Sequence, residues 1–320
     1  MQNSTKKTAS MVEGGILASI AIVFALISVY LPFLGVIVNL IWPVPILLLG
    51  VRHGLKASLM CLAVAGIIIA ILINPIQAIS VVFGFGFIGI ALGYAINQAW
   101  SPLKTMIIGT GASLLSKGAV LLISIVLMGI NPLTVQLAAT GQALEQALSI
   151  YQSLGFTAEQ LQEIRTTMET TIGLLKYIMP AGFALASVVD TYINYLIAKK
   201  ILARLGNPQP EFTEFRLWQI PGYVLWIYGV SLLLVTFYNQ DPTNILYLIG
   251  VNVQMVTDVI LLIQGLSIAY YYIHYKNWPN FLKSLIVILL FSNQFLVQVV
   301  VLMGAFDVVF DYRRLNTRNK

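Results

Sequence analysis

One kind of segment repeats along this chain, a continuous apolar run with few charges. Such runs occupy residues 12–34, 35–50, 55–73, 76–98, 105–130, 171–197, 220–238, 244–272 and 284–304. A helix needs about 20 residues to cross a bilayer, and an apolar run of 18 or more reads as a span. The runs do not alternate polar with apolar, which excludes a membrane barrel. With 58% hydrophobic and 9% charged residues, the chain lies far from soluble domains, where about a quarter of residues are charged. The expected fold is all-α and polytopic, with eight or nine transmembrane helices.

Basic residues set the orientation. The run 35–50 is short and carries Pro43 and Pro45. Counted as a span, it puts Arg52, Lys56, Lys104, Lys199, Lys200, Arg204 and Arg216 all on the N-terminal side. Read as re-entrant, it puts the loop 199–216 outside, against the positive-inside rule. The expectation is a multi-pass protein of the cell membrane with a cytoplasmic N-terminus. Nine spans would leave Arg313, Arg314, Arg318 and Lys320 outside. Either one late segment does not cross, or the rule fails at this end.

The net charge of +6 sits in short loops and the tail. The lipid bilayer is therefore an expected partner and nucleic acid is not. The first run follows Lys6 and Lys7 as a signal peptide would. It is too long for such a segment and contains Glu13, so it reads as a retained span. Cys61 is the only cysteine and lies in an apolar run. That excludes an intrachain disulfide and a cysteine metal cluster, and no cofactor is expected.

Two regions interrupt the spans. Residues 131–170 form an acidic outer insertion in which Leu133, Leu137, Leu144, Leu148 and Tyr151 recur at roughly helical spacing. A second helix starts at Thr157-Ala-Glu-Gln160, which fits a capping box, with Leu161, Ile164 and Met168 as its apolar stripe. This insertion is expected to be a helical hairpin on the membrane surface or a lid over a site. The other loop, 206–219, divides a six-span region, 1–205, from a C-terminal membrane region, 206–320, of two or three spans.

Three charges lie deep in apolar runs: Lys117, Asp190 and Asp258. Lys117 is roughly 20 Å along its helix from Lys104, Asp190 roughly 15 Å from Lys200, and Asp258 roughly 21 Å from Tyr272. All three are thus able to share one layer near the bilayer centre. Charges in hydrocarbon are costly, and they pair with one another or mark function. Asn194 follows Asp190 by one turn on the same face, as Gln254 precedes Asp258. The candidate substrate-binding set is Lys117, Asp190, Asn194 and Asp258, with Asn39 and residues 31–38 as an outer rim. A fixed ion pair that only locks helices together is the competing reading.

Ala18, Ala21 and Ala25 form a small-residue stripe on the first span, and Gly89 and Gly93 form another on the fourth. Such stripes serve close helix packing or contacts with a partner chain. Catalytic signals are weak. There is no GxxxxGK[ST] and no HExxH, and His53 and His274 fall at span ends. Ser113 and Lys117 stand four apart, as a serine–lysine dyad would. No enzymatic activity is expected.

Leu31-Pro-Phe-Leu-Gly35, Pro43-Val-Pro-Ile-Leu-Leu-Leu-Gly50 and Val51-Arg-His-Gly54 resemble the opening of S components of energy-coupling factor transporters. That resemblance implies six spans with both ends cytoplasmic and a ligand pocket toward the outer face. It also implies an AxxxA stripe, here Ala21 and Ala25, that packs on an energy-coupling subunit. Ala186-Ser-Val-Val-Asp190, Asn194-Tyr195, Gly265-Leu-Ser267, Gly304-Ala-Phe-Asp307 and Asp311-Tyr-Arg-Arg314 resemble the YybS-like family of predicted bacterial membrane proteins, for which no biochemical activity is established. The resulting expectation is a transport-related protein that binds an unidentified small molecule. Its energy would come from energy-coupling subunits or an ion gradient. The alternative is a non-transporting scaffold that recruits partners through its cytoplasmic loops and basic tail.

Overall fold

A computed structural model describes residues 2–239, 241–313 and 315. Every regular element among them is a helix: α1 (Gln2–Tyr30), α2 (Pro32–Ile41), α3 (Pro43–His53), α4 (Leu55–Leu72), α5 (Pro75–Val81), α6 (Phe87–Asn97), α7 (Pro102–Met128), α8 (Pro132–Ser153), α9 (Ala158–Arg204), α10 (Tyr223–Tyr238), α11 (Ile245–Tyr275), α12 (Phe281–Ser292) and α13 (Gln294–Phe310). A π-helical turn, Val82–Gly86, joins α5 to α6, and a 3-10 turn, Phe215–Leu217, precedes α10. By length and composition seven segments suffice to cross a membrane, or eight with the bent α12–α13 pair. Their outward side chains are apolar, Phe33, Ile67 and Leu115 among them. Such a surface needs lipid rather than water around it, and the chain is an integral membrane protein.

The chain divides into two units. The first comprises 1–168 and 183–211, the second 169–182 and 212–320. The break after Glu211 falls six residues beyond the boundary expected after 205.

In the first unit, local chemistry sets the helix ends. Ser101 caps α7 by accepting from the Lys104 N–H, Pro102 occupies the first turn, and Gly129 closes the helix in the left-handed conformation. Those choices satisfy orphan backbone groups at both ends. Thr157 and Gln160 form the expected capping box. The helix it starts does not end within the insertion, however. It continues through the expected span 171–197 as the 47-residue α9. The expected run 35–50 is likewise two helices, broken at Trp42 in front of Pro43.

Trp42 is fully buried, and its Nε1–H donates to the Ala21 carbonyl at 2.9 Å. Around it pack Ala18, Ala21 and Ala25 of α1 with Cys61, Leu62, Ala65 and Ile69 of α4. Ala21 and Ala25 have no exposed surface. Their small size is used inside the chain to admit the indole. Gly93 lets α6 lie on α3: a Cβ there would stand 2.9 Å from the Leu47 carbonyl oxygen. Within α1, Glu13 accepts from Arg52 at 2.5 Å and pairs with His53 at 2.7 Å.

In the second unit, Pro180 interrupts the α9 ladder, because proline has no N–H and its ring crowds the preceding turn. Asn252 of α11 bridges the gap. Its Oδ1 accepts from the Ala181 N–H at 2.8 Å, and its Nδ2 donates to the Tyr177 carbonyl at 2.7 Å. Helix α10 has 16 residues, roughly 24 Å of rise. Glycines at 265 and 304 allow α11 and α13 to meet backbone to backbone, since a Cβ on Gly304 would collide with the Leu261 carbonyl oxygen.

The expected last span, 284–304, is not a continuous helix. Helices α12 and α13 meet at Asn293 with a bend of 116°, and Asn293 caps α13 by accepting from the Phe295 N–H. Lys283, at the start of α12, lies 5.7 Å from the Tyr270 ring centre. Arg313, just past α13, donates to Ser267 Oγ at 2.8 Å. Tyr270 and Ser267 are one turn apart on α11. Both ends of the bent pair therefore lie beside the C-terminal half of α11, and Arg313 sits against residues 216–218. Arg314, Arg318 and Lys320 lie outside the described residues.

Candidate functional site

Lys117 of α7 and Asp190 of α9 meet within the first unit. The Lys117 ammonium donates to Asp190 Oδ2 and, at 2.7 Å, to Ser113 Oγ one turn back. Their side chains are only 21% and 16% exposed. An ammonium and a carboxylate in one apolar layer lower the cost of burying each other.

That pair forms the floor of a cavity of about 320 Å³. Such a volume falls at the small end of ligand sites. Asn39 of α2, Ser28 of α1, and Gln77 and Ser80 of α5 supply its other polar groups. Ser28 Oγ donates to Asn39 Oδ1 at 2.8 Å, so the Asn39 amide is oriented by its neighbour. Phe85, Val120, Leu121 and Phe183 make the rest of the lining mostly apolar. Gly84 and Phe85 reach it from the π-helical turn, a local widening of the kind found at functional sites. Pro132 and Leu133, at the start of α8, close one side, so the outer insertion contributes to the rim. Ser28, Gln77 and Leu133 stand at the helix ends away from Arg52 and Lys104. The arrangement suits a small molecule with an apolar body and a polar end that engages the ion pair.

Of the residues expected to act together, Lys117, Asp190 and Asn39 line this cavity. Asn194 faces the backbone: its Nδ2 donates to the carbonyls of Leu40, at 2.9 Å, and Asp190, at 2.8 Å. It ties α9 to the end of α2 beside the Trp42 break. Asp258 belongs to the second unit, where Tyr228 is its polar neighbour. Ser113 is fully buried behind Lys117. The lysine donates to it and pairs with Asp190. The sequence reading missed Ser28, Gln77, Ser80 and Phe85. Polar residues inside an apolar run, and the Phe83-Gly84-Phe85-Gly86 alternation, were the available signals.

The second unit has its own polar cluster. Arg313 and Asp307 are paired at 2.8 Å with side chains 0% and 1% exposed. The guanidinium also donates to the Arg216 and Trp218 carbonyls, each at 2.7 Å. Gln264 Nε2 donates to Asp307 Oδ2 at 2.8 Å. Each guanidinium nitrogen is hydrogen-bonded, as a buried arginine requires.

The family model described as "Predicted membrane protein (DUF2232)" matches residues 19–308. The chain is also 28% identical over 308 residues to "Uncharacterized protein YybS" of Bacillus subtilis (strain 168), a match spanning 96% of this chain and 98% of that protein. No solved structure matches.

Proposed function

We propose that this chain, which belongs to the DUF2232 family of predicted membrane proteins, binds a small molecule between α2, α5, α7 and α9 as part of a transport process. The observation that carries this reading is the 320 Å³ cavity with the Lys117–Asp190 pair in its floor. A pair that only locked two helices together would need no adjoining space, and no Asn39 and Ser28 facing it across an apolar wall. In this reading the first six spans form an S-component-like bundle in the cell membrane. The N-terminus is cytoplasmic, in keeping with Arg52, Lys104 and Lys199 at one end, and the cavity opens outward. Work against a gradient then requires a partner complex or a coupled ion, because the chain has no phosphate-cradling loop. An energy-coupling subunit would have to dock elsewhere than on Ala21 and Ala25. The reading includes no catalytic step.

Native mass spectrometry of the protein, purified gently from its own host's membranes, tests the proposal. The expected result is one small molecule retained per chain, released on collisional activation. A bare chain, or one that holds only unrelated proteins, would contradict binding and favour the scaffold reading.

A further inference from the structure

A second cavity, of about 300 Å³, lies within the second unit and is lined by Glu214, Phe215, Arg216, Tyr270, His274 and Lys283. We propose that it is a binding site for a phosphate group at the membrane interface. Its lining carries two basic side chains, Arg216 and Lys283, against one acidic one, Glu214. Arg216 currently pairs with Glu214, whose side chain is 61% exposed and able to swing away. Lys283 has no carboxylate partner among the described contacts. Its ammonium donates to Asn280 Oδ1 at 2.9 Å and lies beside the Tyr270 ring. A guanidinium that offers a planar fork, next to an ammonium, matches the oxygens of a phosphate.

The walls are built rather than accidental. The Phe215 carbonyl accepts from Ser267 Oγ at 2.7 Å, and the Phe215 ring packs edge-on against Tyr270 with centres 5.2 Å apart. Buried Arg313 holds the Arg216 carbonyl from beneath. The surroundings also fit an interface. His274 and Lys283 flank the end of α11 and the start of α12, beside Tyr271, Tyr272, Tyr275 and Trp278. Aromatic belts of this kind sit at headgroup level, and basic pockets there take anionic lipid headgroups. A free phosphate or phosphate monoester offers the same oxygens.

The test uses full-length protein in detergent, stripped of lipid. It is exposed to phosphatidylglycerol or to phosphatidylcholine of matched chains, or to inorganic phosphate, and bound species are counted by native mass spectrometry. The wild type is expected to retain phosphatidylglycerol over phosphatidylcholine. Arg216→Gln and Lys283→Gln should each weaken that retention about fivefold, the equivalent of the ~1 kcal/mol a basic residue contributes near an anionic surface. Both should unfold at the wild-type temperature, since Arg313 is held by the Arg216 backbone and not its side chain. Glu214→Gln should strengthen retention by removing the competing carboxylate. Saturable binding of inorganic phosphate with no lipid preference, lost in the same two variants, would keep the site and name a soluble phosphate as its source. Absence of both kinds of binding, or retention unchanged in the Arg216 and Lys283 variants, would overturn the proposal.

Discussion

Lys117→Ala is expected to strip the protein of its bound small molecule and to lower its unfolding temperature, whereas Lys117→Ala combined with Asp190→Ala recovers stability without recovering the ligand. Removing the ammonium alone leaves the Asp190 carboxylate facing Val120, Leu121 and Phe183. Breaking a fully buried pair by deleting one partner costs about 3–5 kcal/mol, while replacing both partners with apolar groups is often neutral. The pair retains some exposure to the cavity, so the single substitution should fall at the low end of that range. Thermal unfolding in detergent reads the first effect and native mass spectrometry the second. The purely structural reading makes the opposite prediction. Single variants of Lys117 and Asp190 would then fail to fold, and the charge-swapped pair Lys117→Asp with Asp190→Lys would restore everything.

Arg313→Ala should have the largest effect on stability anywhere in the second unit. The substitution leaves Asp307 charged and enclosed, with Gln264 as its remaining donor, and releases the Arg216 and Trp218 carbonyls. The expected loss is at least ~3–5 kcal/mol. Pairing it with Asp307→Leu should recover only part, because the Arg216 carbonyl still lacks its donor. The segment 212–219 should also become more sensitive to protease, as it keeps only the Gln219–Asp311 hydrogen bond to the end of α13. A variant with wild-type unfolding temperature and protease resistance would show that the cluster does not hold this segment.

The contrast between these two clusters explains what the sequence made legible. Lys117 and Asp190 stand out because a charge inside an apolar run has few ways to be satisfied, and helical rise alone puts both at similar depth. Asp307 and Arg313 lie only six positions apart near a run's end, where charges are ordinary, so nothing marked them as buried. Asn194 shares a face with Asp190, but spacing cannot tell whether an amide points to a cavity or to a neighbouring carbonyl. The alanine stripe on α1 was visible as a close-packing surface. Its occupant, Trp42, comes from a helix break that hydropathy does not register. Hydropathy likewise read 284–304 as one continuous helix, since a bent pair and a straight helix have the same composition. The bend falls at Asn293, which caps α13, and the far end is held by long-range hydrogen bonds from Arg313. The Phe85 wall depends on a π-helical turn, which has no pattern of its own in the sequence.

The most direct test of the account is a cryo-electron microscopy map of the protein purified from its own host's membranes, read at the Lys117–Asp190 cavity. The account predicts compact non-protein density bounded by Asn39, Phe85 and Leu121, with its polar end within hydrogen-bonding distance of Lys117 or Asp190. A cavity closed by its own side chains, or filled only by a lipid acyl chain over an intact ion pair, would contradict it.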